Sequence, residues 1–424
     1  MLSSSLNFDP ASPPWTEIPA HAGIFALFGA DPRAEPYLSR TPNLRKRLRR
    51  LLDPKPEQSK RLRLAESVVR IEYTLTGSDF EAWLLLYDAS LAAFGERARK
   101  RLHLRPPVFL RMTMENAYPR VYVTNRITKS AANDLFGPFP SRNSAESFLE
   151  SMLNLFELRR CTDDLHPDPS FPGCVYSEMK KCMAPCFKGC TDERYAQEAA
   201  AVHAFLATRG QSLITQLSRE RDAASGELDF ERAAELHARL AKVEAAIAGL
   251  SPAVHPLAEL NGVIVQSAGN NGDEAEQVKL FLLTKGCLAG GVPYSVAGMR
   301  HHNEQSGSSS LFSQPVAIEP IPLKDGGAPI VQLASRDTLE ARLEEALAAL
   351  HVRAAALHGR TQEIADHLCL FSRWYYRPQT RRVGEVCFAE PGGEIPKRPL
   401  LRAISRVYRQ GLPNESAAPT NNLS

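Results

Sequence analysis

Five of the eight cysteines fall within thirty consecutive residues, and their type and spacing suggest chemistry more directly than any other feature of the chain. Cys161, Cys174, Cys182 and Cys186 are separated by twelve, seven and three residues, and Cys190 follows four positions later. Outside oxidising compartments, such a cluster is typical of metal binding or redox chemistry. We therefore predict a metal centre on the first four cysteines. The alternative is a set of free cysteines that pack as small hydrophobic residues.

The neighbours of the cysteines bear on the kind of metal. Lys180, Lys181 and Lys188 are expected to favour the thiolate form, which is the form that binds metals. Pro185 precedes Cys186, and a cysteine beside a proline is frequent around iron–sulfur clusters. The run lacks the paired Cys-x2-Cys arrangement of zinc ribbons. The spacing thus suits a cubane iron–sulfur cluster better than zinc, which is kept as the alternative.

Positive charge is concentrated near the N-terminus, although the net charge of the chain is only +3. Ten basic residues fall between residues 40 and 63. The segment 43–52 has helical spacing with Leu44, Leu48 and Leu51 on one side, so its basic residues share the other side. Such a face suits a phosphate backbone, and a solvated helix face is the alternative. The residues expected to bind DNA are Arg45, Lys46, Arg49 and Arg50.

Helices and strands must position these groups, and the apolar patterns predict an α+β chain of several domains. The predicted regions are a disordered N-terminus (1–18), a small α/β domain (19–105), a connecting region with the four-cysteine cluster (106–191), a helical hairpin (192–250), a mixed αβ region (251–412) and a disordered tail (413–424). The predicted strands are 23–28, 68–75, 261–267 and 277–285. The predicted helices are 43–52, 79–94, 144–159 and 336–371, and 303–313 is a predicted polar loop.

The segment 192–250 reads as a helical hairpin because its helical pattern breaks only at 225–229. Gly226 can end the first helix, and Asp229 is a good N-cap for the second. The apolar stripe of the second helix consists of Ala233, Leu236, Leu240, Val243 and Ile247. Such a stripe is more often intramolecular core than a docking surface, and the hairpin outside a globular core is either a spacer or a docking element.

Targeting features are missing from the sequence. No uncharged apolar run approaches the roughly 20 residues of a membrane-spanning helix. The N-terminus lacks the basic start and apolar core of a signal peptide. We therefore expect a cytoplasmic protein that does not enter a membrane.

The cysteine run resembles a known family. Residues 158–161, 174–176 and 182–186 resemble the cysteine region of UvrC, a subunit of the bacterial excinuclease, and residues 136–141 resemble that family's Phe-Gly-Pro-Tyr-Pro-Ser turn. The resemblance implies a four-iron–four-sulfur cluster. The ligands that it implies are Cys161, Cys174, Cys182 and Cys186. Cys190 lies outside the family pattern and is a spare or alternative ligand.

The hairpin resembles the UVR motif, which would span residues 213–248. The resemblance rests on residues 223–225 and 228–236. It implies docking to a matching hairpin of the helicase subunit UvrB, with Phe230 as an exposed aromatic anchor beside small alanines that allow close helix approach. The residues expected to bind this partner are Phe230, Glu231, Ala233, Ala234 and Leu236.

The N-terminal domain resembles the GIY-YIG nuclease domain incompletely. Tyr37, Arg40 and Arg47 stand at positions of its catalytic motifs. Phe25 replaces a tyrosine, and Leu86 stands where the family has its metal-binding glutamate. Such a nuclease needs a carboxylate to hold its divalent cation, so we expect a remnant site that no longer cleaves DNA. Magnesium or manganese is expected only if the nuclease is active.

These resemblances together indicate a shortened, divergent UvrC-like protein, since the chain stops at Ser424, before an RNase H-like nuclease or a helix-hairpin-helix domain could fit. We expect a monomeric DNA-binding accessory of nucleotide excision repair that docks on UvrB. The alternative is a short UvrC-like endonuclease that makes a single incision through its GIY-YIG domain, with Glu72, Glu81 and Asp88 as nearby carboxylates. A third hypothesis is a repurposed scaffold that binds another nucleic acid or protein.

Overall fold

Helices and antiparallel strands alternate along the chain, as the sequence predicts. The computed structural model describes residues 2–53, 64–162, 164–269, 276–299 and 335–411. Within these ranges the strands form three four-stranded sheets. The predicted polar loop at 303–313, the predicted tail at 413–424 and four of the basic residues near the N-terminus lie outside the described residues.

The first sheet belongs to the N-terminal region. The elements of this region are β1 (Ser4–Asn7), β2 (Gly23–Gly29), β3 (Tyr37–Thr41), α1 (Leu44–Leu52), α2 (Leu64–Ser67), β4 (Val68–Leu75), α3 (Asp79–Phe94) and α4 (Arg97–Arg101). The strands pair in the order β1-β4-β2-β3. Leu44, Leu48 and Leu52 of α1 are buried in one core with Phe25 and Ile71. The strands predicted at 23–28 and 68–75 and the helices predicted at 43–52 and 79–94 are confirmed.

The prediction that residues 1–18 are disordered is wrong for the described residues 2–18. Strand β1 pairs with β4, so that Ser4 lies opposite Tyr73. Phe8 and Ile18 are buried, and the rings of Phe8 and Trp15 lie 6.0 Å apart. The proline-rich composition concealed a small set of apolar side chains, and burying these fixes the segment against the sheet.

The middle region contains the second sheet and the hairpin. Its elements are β5 (Val108–Met112), β6 (Val121–Thr124), β7 (Leu135–Phe139), α5 (Arg142–Leu153), α6 (Val175–Glu178), α7 (Asp192–Ala207), α8 (Gln211–Gly226), α9 (Phe230–Ala248) and β8 (His255–Pro256). The strand order is β6-β5-β7-β8. Helix α5 ends at Leu153 and not at residue 159 as predicted, because the Arg160 side chain donates a hydrogen bond to the Leu153 carbonyl (2.6 Å) and so satisfies a terminal helix acceptor.

The helical segment 192–250 has two breaks and not one. The predicted break after Gly226 is confirmed, and the Asp229 side chain accepts a hydrogen bond from the Arg232 amide (3.1 Å) as an N-cap. A second break at 208–210 separates α7 from α8. Gly210 has a φ of +90°, and a Cβ there would lie 2.8 Å from the Ile247 side chain. The position therefore requires glycine both for its backbone conformation and for its contact with α9.

The C-terminal region contains the third sheet. Its elements are β9 (Gly262–Ser267), β10 (Gln277–Thr284), β11 (Cys287–Ser295), α10 (Arg336–Ala355), α11 (Thr361–Tyr375), β12 (Glu385–Phe388) and α12 (Lys397–Gly411). The strand order is β11-β10-β9-β12. The strands predicted at 261–267 and 277–285 are confirmed. The helix predicted at 336–371 is two helices, with Gly359 at a φ of +58° between them.

The N-terminal and C-terminal regions share a core, which fixes their mutual arrangement. The ring of Phe80 on α3 lies 5.2 Å from that of Phe281 on β10 and 5.2 Å from that of Trp374 on α11. The Tyr87 hydroxyl donates to the buried Asp366 carboxylate (3.1 Å). Among the described residues, no helix combines the length and apolar character needed to cross a membrane.

Candidate functional site

Helix α7 anchors the start of the cysteine segment. Tyr195 is fully buried, and its hydroxyl donates to the Pro119 carbonyl (2.8 Å) while it accepts a hydrogen bond from the Arg159 amide (3.2 Å). One turn later, the Glu198 carboxylate accepts a hydrogen bond from the Glu157 amide (2.7 Å). The segment leading to Cys161 is therefore held by side chains of a helix that follows the cysteines in sequence.

Backbone hydrogen bonds fold the segment back on itself. The Met183 amide donates to the Glu157 carbonyl (3.0 Å), and the Asp168 amide donates to the Cys186 carbonyl (2.9 Å). Ala184 has a φ of +55°, a left-handed conformation that tightens the turn around Cys182 and Cys186. These contacts bring residues far apart in the segment close together.

All five cysteines of the segment are free and half-buried. Burial, and then the neighbouring thiols of Cys161, Cys174 and Cys186, raise the pKa of Cys182 to about 11. The Ala184 amide donates to the Cys182 Sγ (3.3 Å) and opposes this shift. Burial also raises the pKa of Cys186. The expectation that nearby lysines favour the thiolate is therefore wrong for these two cysteines, because desolvation and the other thiols dominate.

The four cysteine thiols are suitable ligands for a metal, but their arrangement in this structure is not that of a metal site. The other three thiols are near enough to Cys182 to raise its pKa, and the Arg159 guanidinium donates to the Cys161 Sγ (3.9 Å). Within the described part of the chain, however, no group of three or more Cys, His, Asp or Glu side chains is arranged to hold a metal ion. The structure thus gathers the sulfurs without forming a closed ligand shell.

Cys190 differs from the other four cysteines of the segment. Its side chain packs against the hydrophobic core of the middle region. Burial raises its pKa, and the charge of Asp192 raises it further. This position favours a packing role for Cys190 over that of an alternative ligand.

The tip of the hairpin, here residues 228–234, presents apolar side chains to solvent. Phe230 is 66% exposed and Leu228 is 71% exposed. Glu231 and Ala234 are exposed beside them. Leu228 has a φ of +62°, which places a large apolar residue at the end of a turn. Sequence reasoning missed Leu228, although an apolar residue between Gly226 and the N-cap Asp229 was a usable signal.

The rest of the hairpin, here called its shaft, consists of α8 and the part of α9 after residue 234. The apolar stripe of α9 is buried within this shaft. Leu236, Leu240 and Val243 are buried together with Leu217 and Ala224 of α8. The expectation that Leu236 binds a partner is wrong, because helical periodicity turns it toward α8 and leaves it 8% exposed. Ala233 is half-buried and packs at the edge of the same core.

Leu86, which stands where the GIY-YIG resemblance expects a glutamate, lies in an apolar environment. Leu86 is 6% exposed and is clustered with Ile24 and Ala82. Phe25 is fully buried, and its ring lies 6.1 Å from that of Tyr37, which is 39% exposed. The surroundings of Leu86 are therefore built for a hydrocarbon side chain and not for a metal-bound carboxylate.

The three carboxylates named as a rearranged site have separate partners. Glu81 accepts hydrogen bonds from the Lys279 ammonium and the Gly77 amide, both at 2.8 Å. Glu72 accepts a hydrogen bond from the Leu2 amide (3.2 Å). Desolvation in a cleft beside α11, and then the charge of Glu363, raise the pKa of Asp88 to about 6. They therefore do not converge on one cation.

The remaining remnant residues are an arginine pair. Arg40 forms an ion pair with Asp79, and its guanidinium lies 4.3 Å from the centre of the Trp83 ring. Arg47 is half-buried on α1. Among the described residues, no group of carboxylates near these arginines could hold a metal ion.

The basic face of α1 is partly exposed. Lys46, Arg49 and Arg50 are exposed. Arg45 is half-buried, and its Nε donates to the Ile18 carbonyl (2.7 Å), which ties the N-terminal segment to the helix. The Arg49 guanidinium lies 5.8 Å from the centre of the Trp15 ring. Three of the four predicted basic residues therefore face solvent, and Arg45 has a structural contact as well.

Two protein-family models match adjoining parts of the chain. Residues 108–205 match the UvrC/Cho excinuclease middle domain. Residues 211–246 match the UvrB/uvrC motif. The first match contains the cysteine segment with its anchoring helix α7, and the second contains α8 and the tip. No solved structure matches the chain.

Curated relatives agree with these matches. The UvrABC system protein C of Idiomarina loihiensis is 29% identical over 48% of this chain and 33% of the relative. That of Rickettsia bellii is 27% identical over 66% of this chain and 42% of the relative. That of Pseudomonas syringae pv. syringae is 32% identical over 52% of this chain and 35% of the relative. The chain thus spans between a third and just over two fifths of these relatives, and it resembles UvrC-family proteins through its middle domain and its UVR motif.

Proposed function

We propose that the chain is a DNA-binding protein of nucleotide excision repair that docks on a UvrB-like helicase subunit through its hairpin tip. The exposure of Phe230, at 66%, carries the docking half of the proposal. The stripe behind it is buried within the hairpin, so the aromatic ring is left for a partner. The matched UVR motif supports this assignment.

The tip has the composition of a binding hot spot. Aromatic anchors provide a large apolar area, and they are strongest where neighbouring contacts exclude water. Leu228 lies beside Phe230 and adds apolar surface, while the small side chain of Ala234 permits close approach of a second helix. A hairpin of matching shape on the partner would bury both apolar side chains at once.

A binding measurement with purified UvrB tests the docking. We expect Phe230→Ala to weaken binding by roughly thirtyfold, which is about 2 kcal/mol. Val352→Ala on α10 is the matched control, because Val352 is 74% exposed and lies outside the hairpin. Wild-type protein that fails to bind UvrB, or a Phe230→Ala variant that binds as tightly as wild type, would overturn the proposal.

The exposed face of α1 supports DNA binding. Lys46, Arg49 and Arg50 present positive charge on one short helix. Flexible cations on a helix surface contact phosphates without reading sequence. The proposed binding is therefore independent of base sequence and sensitive to salt.

We propose further that the remnant GIY-YIG site does not cleave DNA. Leu86 is buried among hydrocarbon side chains, and the nearby Glu81 is committed to Lys279. Magnesium or manganese would therefore lack the carboxylate that holds it in such nucleases. No observation in the described residues favours the single-incision endonuclease.

The four cysteines are proposed to bind a four-iron–four-sulfur cluster, which would brace the connection between the middle sheet and the hairpin. The support is the partial burial of the four thiols, the proximity of the other three to Cys182 and the hydrogen bond to the Cys182 Sγ. Hydrogen bonds to sulfur and limited solvent access are typical of such clusters.

Metal analysis after anaerobic purification tests the cluster. We expect about four iron atoms and four sulfides per chain. Cys174→Ser should lose this iron, whereas Cys190→Ser should keep it, because Cys190 packs against the core. Zinc alone in the wild-type protein would refute the iron–sulfur assignment.

A further inference from the structure

A cavity of about 400 Å³ lies at the junction of the N-terminal and C-terminal regions. The loop between β4 and α3 forms one side, and β9 with the chain that follows α11 forms the other. The polar residues that line it are Arg40, Thr41, Thr76, Ser78, Asp79, Gln266, Arg377 and Arg381. Phe80 and Trp374 supply aromatic walls. The cavity is separate from both the cysteine segment and the hairpin.

The mouth of the cavity carries an excess of positive charge. Asp79 pairs with Arg40 and also accepts a hydrogen bond from the Arg377 Nη1 (2.7 Å). One carboxylate thus holds two guanidinium groups together, and Arg381 adds a third, exposed cation. Burial, opposed by Asp79 and assisted by the charge of Arg377, lowers the pKa of Arg40. An anion bound between these side chains would relieve the repulsion of the like charges.

The deep end of the cavity is polar but uncharged. Gln266 is 1% exposed, and neither the oxygen nor the nitrogen of its side-chain amide has a hydrogen-bond partner among the described residues. Thr76 is 6% exposed, and its hydroxyl likewise has no partner in that part of the chain. Buried polar atoms are normally satisfied, so a group inside the cavity that both donates and accepts is the natural complement.

The backbone makes room for the Gln266 amide. Gly384 has a φ of +90°, and a Cβ at this position would lie 2.3 Å from the Gln266 Nε2. On the facing loop, a Cβ on Gly77 would lie 2.2 Å from the Ala268 carbonyl carbon. Gly77 therefore allows the backbones of the two regions to come into contact, and Gly384 leaves space for the Gln266 amide. Because both positions require glycine, the cavity is a specific feature of the fold and not a packing defect.

We propose that this cavity binds a single nucleotide unit, with its phosphate on Arg40, Arg377 and Arg381 and its base against Gln266. Guanidinium groups suit phosphate oxygens. A side-chain amide offers a donor and an acceptor side by side, as the edge of a base does. The volume is in the range of small-ligand sites, and aromatic walls favour a flat ring.

The proposal goes beyond docking on UvrB and stands separately from it. The cavity uses β9, α3 and the chain after α11, whereas docking uses the tip at residues 228–234. A variant of the cavity therefore leaves the tip intact, and either proposal can fail without the other.

Calorimetric titration of the full chain with deoxyadenosine monophosphate is the first test. We expect Gln266→Met, which keeps the side-chain length and removes both polar atoms, to weaken binding at least tenfold. Arg381→Ala should weaken it several-fold. Arg398→Ala is the matched control, an exposed arginine of α12 outside the cavity, and should bind as wild type.

A duplex with one unpaired 2-aminopurine distinguishes a free nucleotide from a nucleotide within DNA. A rise in base fluorescence on binding, lost in Gln266→Met, would show that the cavity takes a base from a strand. Binding of the monophosphate without that rise would identify a free nucleotide as the ligand.

Three results would overturn the proposal. The first is that neither probe binds the wild-type chain. The second is that Arg381→Ala, which removes an exposed side chain, binds the monophosphate as tightly as wild type. The third is that inorganic phosphate binds as tightly as the monophosphate, because the base would then contribute nothing to binding.

Discussion

The proposed remnant nuclease site and the hairpin tip differ in the exposure of their key side chains. Among the described residues, the carboxylates named as candidate metal ligands belong to no group that could hold a metal ion, and Glu81 is 8% exposed at its side chain and bound to Lys279. At the tip, Phe230 and Leu228 are large, apolar and mostly exposed. In the first region, the charged groups are bound by other groups of the same chain. In the second region, apolar side chains are exposed to solvent.

This difference indicates where the molecule retains an external role. Polar groups at a working catalytic site are held near the substrate and kept available to it. Apolar groups in a folded core are buried, so exposed ones at the end of a hairpin are a cost that a partner can offset. The comparison therefore favours binding over cleavage, and it can be challenged at both sites.

The largest expected effect is at the nuclease site. Leu86→Glu restores the missing carboxylate but buries it without a cation, so we expect a loss of about 3–5 kcal/mol in the free energy of unfolding at pH 7. Burial raises the pKa of the introduced carboxyl, which makes the folded state bind its proton more tightly, so the loss should shrink as the pH falls. Urea denaturation at several pH values measures this.

Two controls accompany that variant. Leu86→Met should cost less than about 1.5 kcal/mol, because it preserves the hydrocarbon packing. Neither the wild-type chain nor Leu86→Glu should nick damaged duplex with magnesium or manganese. Nicking by the wild type that is abolished in Arg47→Ala would instead establish the single-incision endonuclease and remove the contrast between the regions.

The second effect separates the shaft of the hairpin from its tip. Leu240 is 7% exposed between α8 and α9, so Leu240→Ala should lower the free energy of unfolding by about 3 kcal/mol. Phe230→Ala should change it by less than about 0.5 kcal/mol, because the ring is exposed. Hydrogen exchange of the α9 amides reports on the hairpin itself. Equal losses in the two variants would mean that the tip is structural.

Much of the fold could be predicted because its patterns are local. Strand β2 is predicted by its apolar run, and helix α3 is predicted by its apolar run and its N-cap. Ser78 does cap α3. The errors arise where residues distant in sequence determine the local structure. Helix α5 ends early because Arg160 satisfies its last carbonyls, and residues 2–18 are ordered because β4 supplies a pairing edge. Neither cause is visible within a short window of sequence.

The sites show the same division. The four cysteines and Phe230 are candidates that type, spacing and family resemblance alone suggest, and their roles stay predictions. Leu236 could not be assigned correctly, because its burial depends on how α8 packs against α9. The cavity at Gln266 could not be found at all, since Arg377 lies about three hundred residues after Arg40 and Thr76 in sequence and meets them only through tertiary contacts.

A smaller effect concerns the exposed charges of α1. Lys46→Ala/Arg50→Ala should lower the affinity for duplex DNA roughly tenfold and reduce the slope of log affinity against log salt by roughly 2. Arg398→Ala/Arg402→Ala removes the same charge from exposed positions of α12 and should leave both quantities unchanged. Filter binding over a salt series is the measurement. Equal effects in the two variants would mean that net charge, and not this face, attracts DNA.

The smallest expected effect tests whether the tip acts through apolar contact or charge. Glu231 is exposed in the first turn of α9, where a carboxylate interacts favourably with the helix dipole. Glu231→Gln keeps the shape and removes the charge, so UvrB binding should weaken by less than about 0.5 kcal/mol, and this difference should vanish at high salt. The loss in Phe230→Ala should persist there, because apolar burial is not screened. A Glu231→Gln loss as large as that of Phe230→Ala would make the tip an electrostatic docking site and reverse the contrast with the nuclease region.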